Sequence, residues 1–306
     1  MAELAAAAPR SLLALTYRRF RRHHLAVAST LLLAVLALAS IGAPLVAALL
    51  GLDANVVDLL GRFQAPGLAH PLGTDELGRD VLVRLLYGGR VSLIVGVAAA
   101  LASAVIGTGV GLVAGYYGGR LDIVLMRVTD SVIALPVLPL LIVLAALDLG
   151  KLGLPEALTQ SEQISLYRIV AIIALVGWTR VARLVRGATL SMREREFVLA
   201  ARAQGASAGR IMGVHILPNV VSPIIVSTTL SVGGIILFES ILSFLGLGIQ
   251  PPLPSWSNML TGAQELIWDA PQLVVYPGLM IFVTVIAFNF LGDGLQDALD
   301  PRATRP

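Results

Sequence analysis

The chain has no cysteine among its 306 residues, and its only lysine is Lys151. Without thiols, disulfides, thiol nucleophiles and Cys-ligated zinc or iron–sulfur centres are all excluded. Only four histidines occur. His23 and His24 sit inside an arginine cluster and His70 has no second histidine near it, so no metal site and no cofactor are expected. Charge is equally scarce, at 13% of residues where a soluble domain carries about a quarter. That shortfall excludes an ordinary cytosolic enzyme, because a water-facing surface of this size needs charge and a lipid-facing one does not. A lipid-facing surface is therefore expected.

What is present is apolar: 57% of the residues, with a mean hydropathy of +0.85. The pI near 9.6 does not point to nucleic acid, because the positive residues are arginines spread between long apolar runs. Such a pattern suits anionic membrane lipid. A helix needs about 20 residues to cross the hydrocarbon core. Uncharged runs at 25–50, 91–119, 220–238 and 270–292 meet that length. A shorter run, 131–147, is extended on its N-terminal side by a turn carrying Arg127 and Asp130. The segment 163–185 holds only Arg168, Arg180 and Arg183, all near its ends, where arginine can snorkel. The fold expected is an all-α polytopic membrane protein with six transmembrane helices.

The first run follows Arg18, Arg19, Arg21 and Arg22, as a signal peptide would, but it is longer than the usual apolar region of about 7–15 residues and ends in no clean cleavage site. It reads as an anchor. With the N-terminus inside, sixteen positive residues fall on inner segments, Arg10, Arg302 and Arg305 among them. Six, namely Arg62, Arg79, Arg84, Arg90, Lys151 and Arg168, fall outside. Positive residues stay on the cytoplasmic face, so both termini are expected there. The chain then divides into a cytoplasmic segment 1–24, a first span 25–50, an external loop 51–90, a core 91–297 and a cytoplasmic tail 298–306.

Four local features stand out. Ser103, Gly107, Gly111, Gly115 and Gly119 recur every four residues, a stripe that lets another helix approach closely, within this chain or from another subunit. Glu239 ends the fifth span, where a carboxylate either serves the pathway or its gating or is bonded to a neighbouring helix. Thr74 or Asp75 is placed to cap a short helix running through Leu85. The third outer loop is stiffened by Pro251, Pro252 and Pro254, with Trp256 and Trp268 suited to an interfacial belt; it reads as a plain connection or as a surface for an external partner.

The segment 191–219, between the fourth and fifth spans, carries the most information. Ser191 followed by Glu194 has the spacing of a capping box, and good helix formers run on to Gly205, a residue suited to a helix C-terminus. Ser207 can cap a second short helix. Helix, sharp turn and helix are expected, forming either a knuckle shaped for a partner's groove or an amphipathic segment resting on lipid.

Ala200-Ala201, Gly205 and His215-Ile216-Leu217-Pro218-Asn219 together resemble the EAA loop of ABC importer permeases. The likeness continues in Gly73-Thr74-Asp75-Glu76-Leu77-Gly78-Arg79-Asp80, in Ser243 to Gly248, in Pro254-Ser255-Trp256 and in Leu291-Gly292-Asp293-Gly294. Spaced in this order, these motifs resemble the C-type permease of dipeptide, oligopeptide and nickel importers. One position departs from the pattern: Leu199 replaces the glutamate that names the motif, and Glu196 stands about one turn earlier.

The resemblance implies the type I ABC importer permease fold, with a cytoplasmic coupling-helix loop between helices 4 and 5. It also implies a homologous B-type permease subunit, two cytoplasmic ATPase subunits docking on Glu196, Ala200, Ala201, Gly205, Leu217 and Pro218, and an extracytoplasmic solute-binding protein. The chain itself has no Walker A loop, since Lys151 is followed by Leu152, so no enzyme activity is expected of it. Two rivals stand beside this reading. A channel or secondary transporter would couple ions through Glu239, Asp130 or Asp293, and an intramembrane serine protease would use Ser207 with His215.

Overall fold

Residues 12–147, 161 and 163–300 are described in the computed structural model, and they are helical almost throughout. Arg10, Lys151, Arg302 and Arg305 lie outside the described residues, as do most of the tail 298–306 and the start of the N-terminal segment. Among the described residues five helices are long and apolar enough to cross a membrane, and a bent pair makes a sixth crossing when its two helices are counted as one span. The all-α, six-span expectation therefore holds, with corrections at several boundaries.

Helix α1 (Leu12–Arg22) ends at His23, whose ring accepts a hydrogen bond from Ala26 N and caps α2 (His24–Ile41). The first run was expected as one helix over 25–50. It breaks at Gly42, and α3 (Ala43–Leu50) restarts with Pro44 in its first turn, where a missing N–H costs nothing. The second span is α4 (Val81–Tyr117), beginning well before residue 91. Its cap is Asp80, whose Oδ1 accepts from Val83 N at 2.8 Å, and not Thr74 or Asp75.

Those two residues instead brace the loop before α4. Thr74 Oγ1 donates to Gly61 O, and Asp75 accepts from the backbone N–H groups of Leu77 and Arg79. Asp75 also holds Arg79 at 2.7 Å and the buried Arg84 at 3.3 Å, so charges that interrupt the apolar run pair off inside the fold. Gly78 (φ +74°) is required here, because any β-carbon would collide with the carbonyl of Asp58.

The third span is not one helix. α5 (Gly119–Ala134) and α6 (Val137–Ala145) meet at an angle of 86°. Pro136 lacks the N–H a helix needs and pushes Leu135 into an extended conformation, which ends α5. The fourth span is α7 (Ile164–Arg193), followed by the short α8 (Glu196–Ala203). The fifth, α9 (Leu217–Phe244), is preceded by a turn at Ala208–Arg210 and a π turn at Ile211–Ile216. The sixth is α10 (Gln272–Leu299).

The core lies between α4, α7, α9 and α10, around Val95, Ile169, Ile173, Ile236 and Leu242. α4 and α7 touch along the small-residue stripe. A β-carbon at Gly107 would stand 2.5 Å from Trp178 O, at Gly111 2.6 Å from Ala182 O, and at Gly115 2.6 Å from Thr189 Cβ. The stripe thus faces a helix of this same chain. Only its last member departs, since Gly119 opens α5 at φ +56° with nothing near.

Candidate functional site: the knuckle between α7 and α9

The capping box expected at Ser191 and Glu194 is absent, because α7 runs on through Ser191 to Arg193. Tertiary contacts override the local signal. Thr189 packs on Gly115, and Arg193 donates from Nη1 to Gly115 O at 3.1 Å, tying this last turn to α4. The knuckle therefore begins at Arg195, the residue before α8, and Glu196 occupies the first turn of that helix. α8 ends as expected: Gly205 adopts φ +80°, a conformation that bulkier residues enter only with strain. Ser207 Oγ then accepts from Arg210 N, starting the second turn.

Two faces result. On the inner face Val198, Ile211, Ile216 and Val220 are buried together, packed on Leu112 and Tyr116 of α4 and on Ala188 and Met192 of α7. Arg202 adds a cation–π contact, its guanidinium 5.4 Å from the centroid of the Tyr116 ring. On the outer face Glu196, Phe197, Leu199, Ala200 and Gly205 are exposed. A small apolar knuckle is thus fastened to the ends of two spanning helices while its tip stays open.

The residues expected to dock a partner separate accordingly. Glu196, Ala200 and Gly205 lie on the open face and Ala201 is half-buried at its margin. Leu217 packs inward against the knuckle's own core, whereas Pro218 is exposed in the first turn of α9. The π turn before it went unread in the sequence. Pro218 is its signal, since the ring has no N–H to give the preceding turn; the Asn219 side chain donates to His215 O at 2.7 Å in the same turn. Ser207 Oγ is engaged by Arg210 N, and it is the backbone carbonyl of His215 that accepts from Asn219.

At the opposite end of the bundle, Glu239 is 1% exposed. Its carboxylate accepts from Ser243 at 2.9 Å, from Ser255 at 3.2 Å and from Ser257. The side chain is enclosed within the chain, where it fastens the loop 245–271 to α9. Trp256, expected at an interface, is buried: its indole N–H donates to Leu85 O at 2.8 Å and its ring fills the space left by Gly88 and Gly89. Trp268 is 88% exposed, as an interfacial residue would be. Beside this loop a cavity of about 270 Å³ opens between Arg79, Arg84, Gln250 and Asn258. No cluster of three metal-ligating side chains occurs among the described residues.

A bundle of membrane-spanning helices with an exposed knuckle between its fourth and fifth spans has the outline of a polytopic membrane protein. Residues 107–305 match the family described as binding-protein-dependent transport system inner membrane component, and residues 11–66 match the N-terminal transmembrane domain of oligopeptide transport permease C. Over 286 residues the chain is 40% identical to the dipeptide transport system permease protein DppC of Alkalihalophilus pseudofirmus, covering 94% of this chain and 88% of that one. It is 40% identical to the glutathione transport system permease protein GsiD of Pectobacterium atrosepticum, over 94% of this chain and 90% of the other. With the oligopeptide transport system permease protein OppC of Bacillus subtilis the identity is 36%, over 93% and 88%. The chain belongs to the family of binding-protein-dependent ABC importer permeases, multi-pass proteins of the inner membrane. Members of that family work with a second permease, ATPase subunits and a solute-binding protein.

Proposed function

We propose that this chain is the C-type permease subunit of a peptide importer and forms one half of the pathway through which the peptide crosses. The relatives named for dipeptide, oligopeptide and glutathione transport support a short peptide as cargo. A homologous B-type permease would supply the other half, an extracytoplasmic binding protein would deliver the peptide, and two cytoplasmic ATPases would dock on the knuckle. Both termini and the knuckle then face the cytoplasm, in keeping with the distribution of arginine.

One observation carries the coupling mechanism: the knuckle's tip is exposed while its base is welded to α4 and α7. A push on the tip would pass to two spanning helices through Val198 and the residues of α4 and α7 that pack against it. Closure of the ATPases would rock the bundle between outward-open and inward-open states, with Glu196, Ala200, Ala201, Gly205 and Pro218 as the contact face and Leu217 as part of its support. Such a mechanism asks for two states of the bundle and for no catalytic side chain.

The test is reconstitution of the chain with the permease, ATPases and binding protein encoded beside it, followed by uptake of a labelled dipeptide. ATP-dependent uptake that requires the binding protein is expected. Uptake driven by an ion gradient without ATP would make the chain a secondary transporter instead.

A further inference from the structure

Helix α1 sorts its side chains into two faces. Leu15, Thr16, Arg19 and Phe20 are half-buried on the side that meets α10, where Arg19 Nη1 donates to Asp300 O at 2.9 Å. The His23 ring beyond them lies 3.8 Å from the Asp297 carboxylate. The opposite face carries Tyr17, Arg18, Arg21 and Arg22, all exposed, at the three- and four-residue spacings that align side chains along a helix. They line an open groove of about 280 Å³, with the Arg21 guanidinium 5.7 Å from the centroid of the Tyr17 ring. Among the described residues no carboxylate pairs with Arg18, Arg21 or Arg22.

The order of the elements fixes the level at which this face stands. Only His23 separates α1 from α2, which is 18 residues long, about 27 Å by helical rise, so nearly all of it is needed to cross a hydrocarbon core of about 30 Å. Arg22 lies just before that helix, and Leu25, an exposed apolar residue, lies in its first turn. The basic turn is therefore held at the boundary between headgroups and hydrocarbon, at the end where α2 enters the membrane. A group that pairs with it there carries negative charge. The arginine fork matches phosphate oxygens two at a time, and tyrosine suits the same depth.

We propose that the groove formed by Tyr17, Arg18, Arg21 and Arg22 binds the phosphate headgroup of an anionic phospholipid in the leaflet that α2 enters. Charge on the two faces of α1 supports one occupant over others. Asp297 and the carbonyl of Asp300 engage His23 and Arg19 on the inner face, so Arg18, Arg21 and Arg22 keep their positive charge for the outer one. A headgroup clamped there would hold α1 in place against the end of α10. The site is independent of the cargo.

The test uses the assembled complex in phosphatidylcholine bilayers carrying rising fractions of a chain-brominated lipid, with accessible thiols of the other subunits replaced first. In this cysteine-free chain Leu25→Cys takes a fluorophore just beyond Arg22, and Leu49→Cys, 77% exposed on α3, serves as the reference. Each basic residue near an anionic surface strengthens the attraction roughly fivefold, so brominated phosphatidylglycerol should quench the label at position 25 at about a tenth, or less, of the mole fraction that brominated phosphatidylcholine requires. Both lipids should quench position 49 alike. Replacing Arg18, Arg21 and Arg22 together by Gln should abolish the preference at position 25, whereas replacing them by Lys should keep most of it. Inorganic phosphate at constant ionic strength should leave it intact. Equal quenching by the two lipids without these replacements, or a preference that survives the glutamines, overturns the proposal. Quenching by neither lipid also overturns it, because the face is then covered by another subunit. If inorganic phosphate removes the preference, the groove takes a free anion and the lipid assignment falls. Quenching at position 49 reports insertion of each variant. If the triple glutamine variant does not insert, Arg21→Gln alone should weaken the preference roughly fivefold, and no change there overturns the proposal.

Discussion

Gly111 of α4 and Val185 of α7 approach so closely that a β-carbon on the glycine would stand 2.7 Å from the valine's own Cβ. The same helix faces repeat this approach one turn away on each side, at Gly107 and Gly115. The backbone carbonyls lining the contact cannot yield as a flexible side chain would.

Gly111→Leu is therefore expected to insert into the membrane yet pack poorly, with overpacking costing about 1–3 kcal/mol or more. Gly111→Ala should show a smaller loss of the same kind. Thermal melting of the detergent-purified subunit, together with the yield of monodisperse complex, reads the effect. Melting of Gly111→Leu at the wild-type temperature would mean that the two helices do not meet along this stripe.

The stripe and the long apolar runs made most of the bundle legible in the sequence, because both report directly on helix length and helix contact. Breaks were harder to read. Pro44 and Pro136 were visible, but whether a proline kinks a helix or ends it depends on the surrounding contacts, and at Leu135 the chain turns by 86°. The early start of α4 was hidden because Arg84 and Arg90 interrupt the apolar run, although both lie within the helix and Arg84 is half of a buried pair with Asp75. Trp256 misled for a related reason: its partners Gly88 and Gly89 are far away along the chain, and no local pattern announces the gap they leave. At the knuckle, Gly205 and Ser207 were legible because their roles are local. The false capping box at Ser191 was overruled by Gly115, a residue distant in sequence.

Glu239 bears on the outer loop. Replacing it by Leu leaves Ser243, Ser255 and Ser257 without their acceptor in a buried site, at about 1–3 kcal/mol for each hydroxyl that finds no other partner. Glu239→Gln keeps an acceptor and should be the milder change. Limited proteolysis within 246–261, compared across the three proteins, should show faster cleavage in Glu239→Leu. Equal resistance in all three would mean that the loop is held by Trp256 alone.

Orientation can be read by thiol labelling in intact cells. Single cysteines at Leu60, which is 99% exposed, and at Gln250 should react with an impermeant reagent from outside. A cysteine at Ser207 should react only after the membrane is opened. Labelling of position 207 in intact cells would invert the proposed topology and place the knuckle out of reach of a cytoplasmic ATPase.

The knuckle's turn offers the sharpest test of coupling. At Gly205 an added β-carbon would meet no atom within 4 Å, so a substitution there acts through the backbone alone. At φ +80° a β-branched residue is strained by roughly 1–2 kcal/mol, and relief of that strain moves the exposed tip relative to its welded base. Asparagine tolerates this region of the backbone map and should leave the tip where it is. Gly205→Val is expected to lose most ATPase copurification and uptake while the subunit still inserts and keeps its permease partner, whereas Gly205→Asn should retain both. A helix resting on lipid would respond differently, because valine adds apolar surface and no partner is displaced. Full ATPase recovery and normal uptake in Gly205→Val would remove the knuckle as the docking face, whatever the fold of the rest of the bundle.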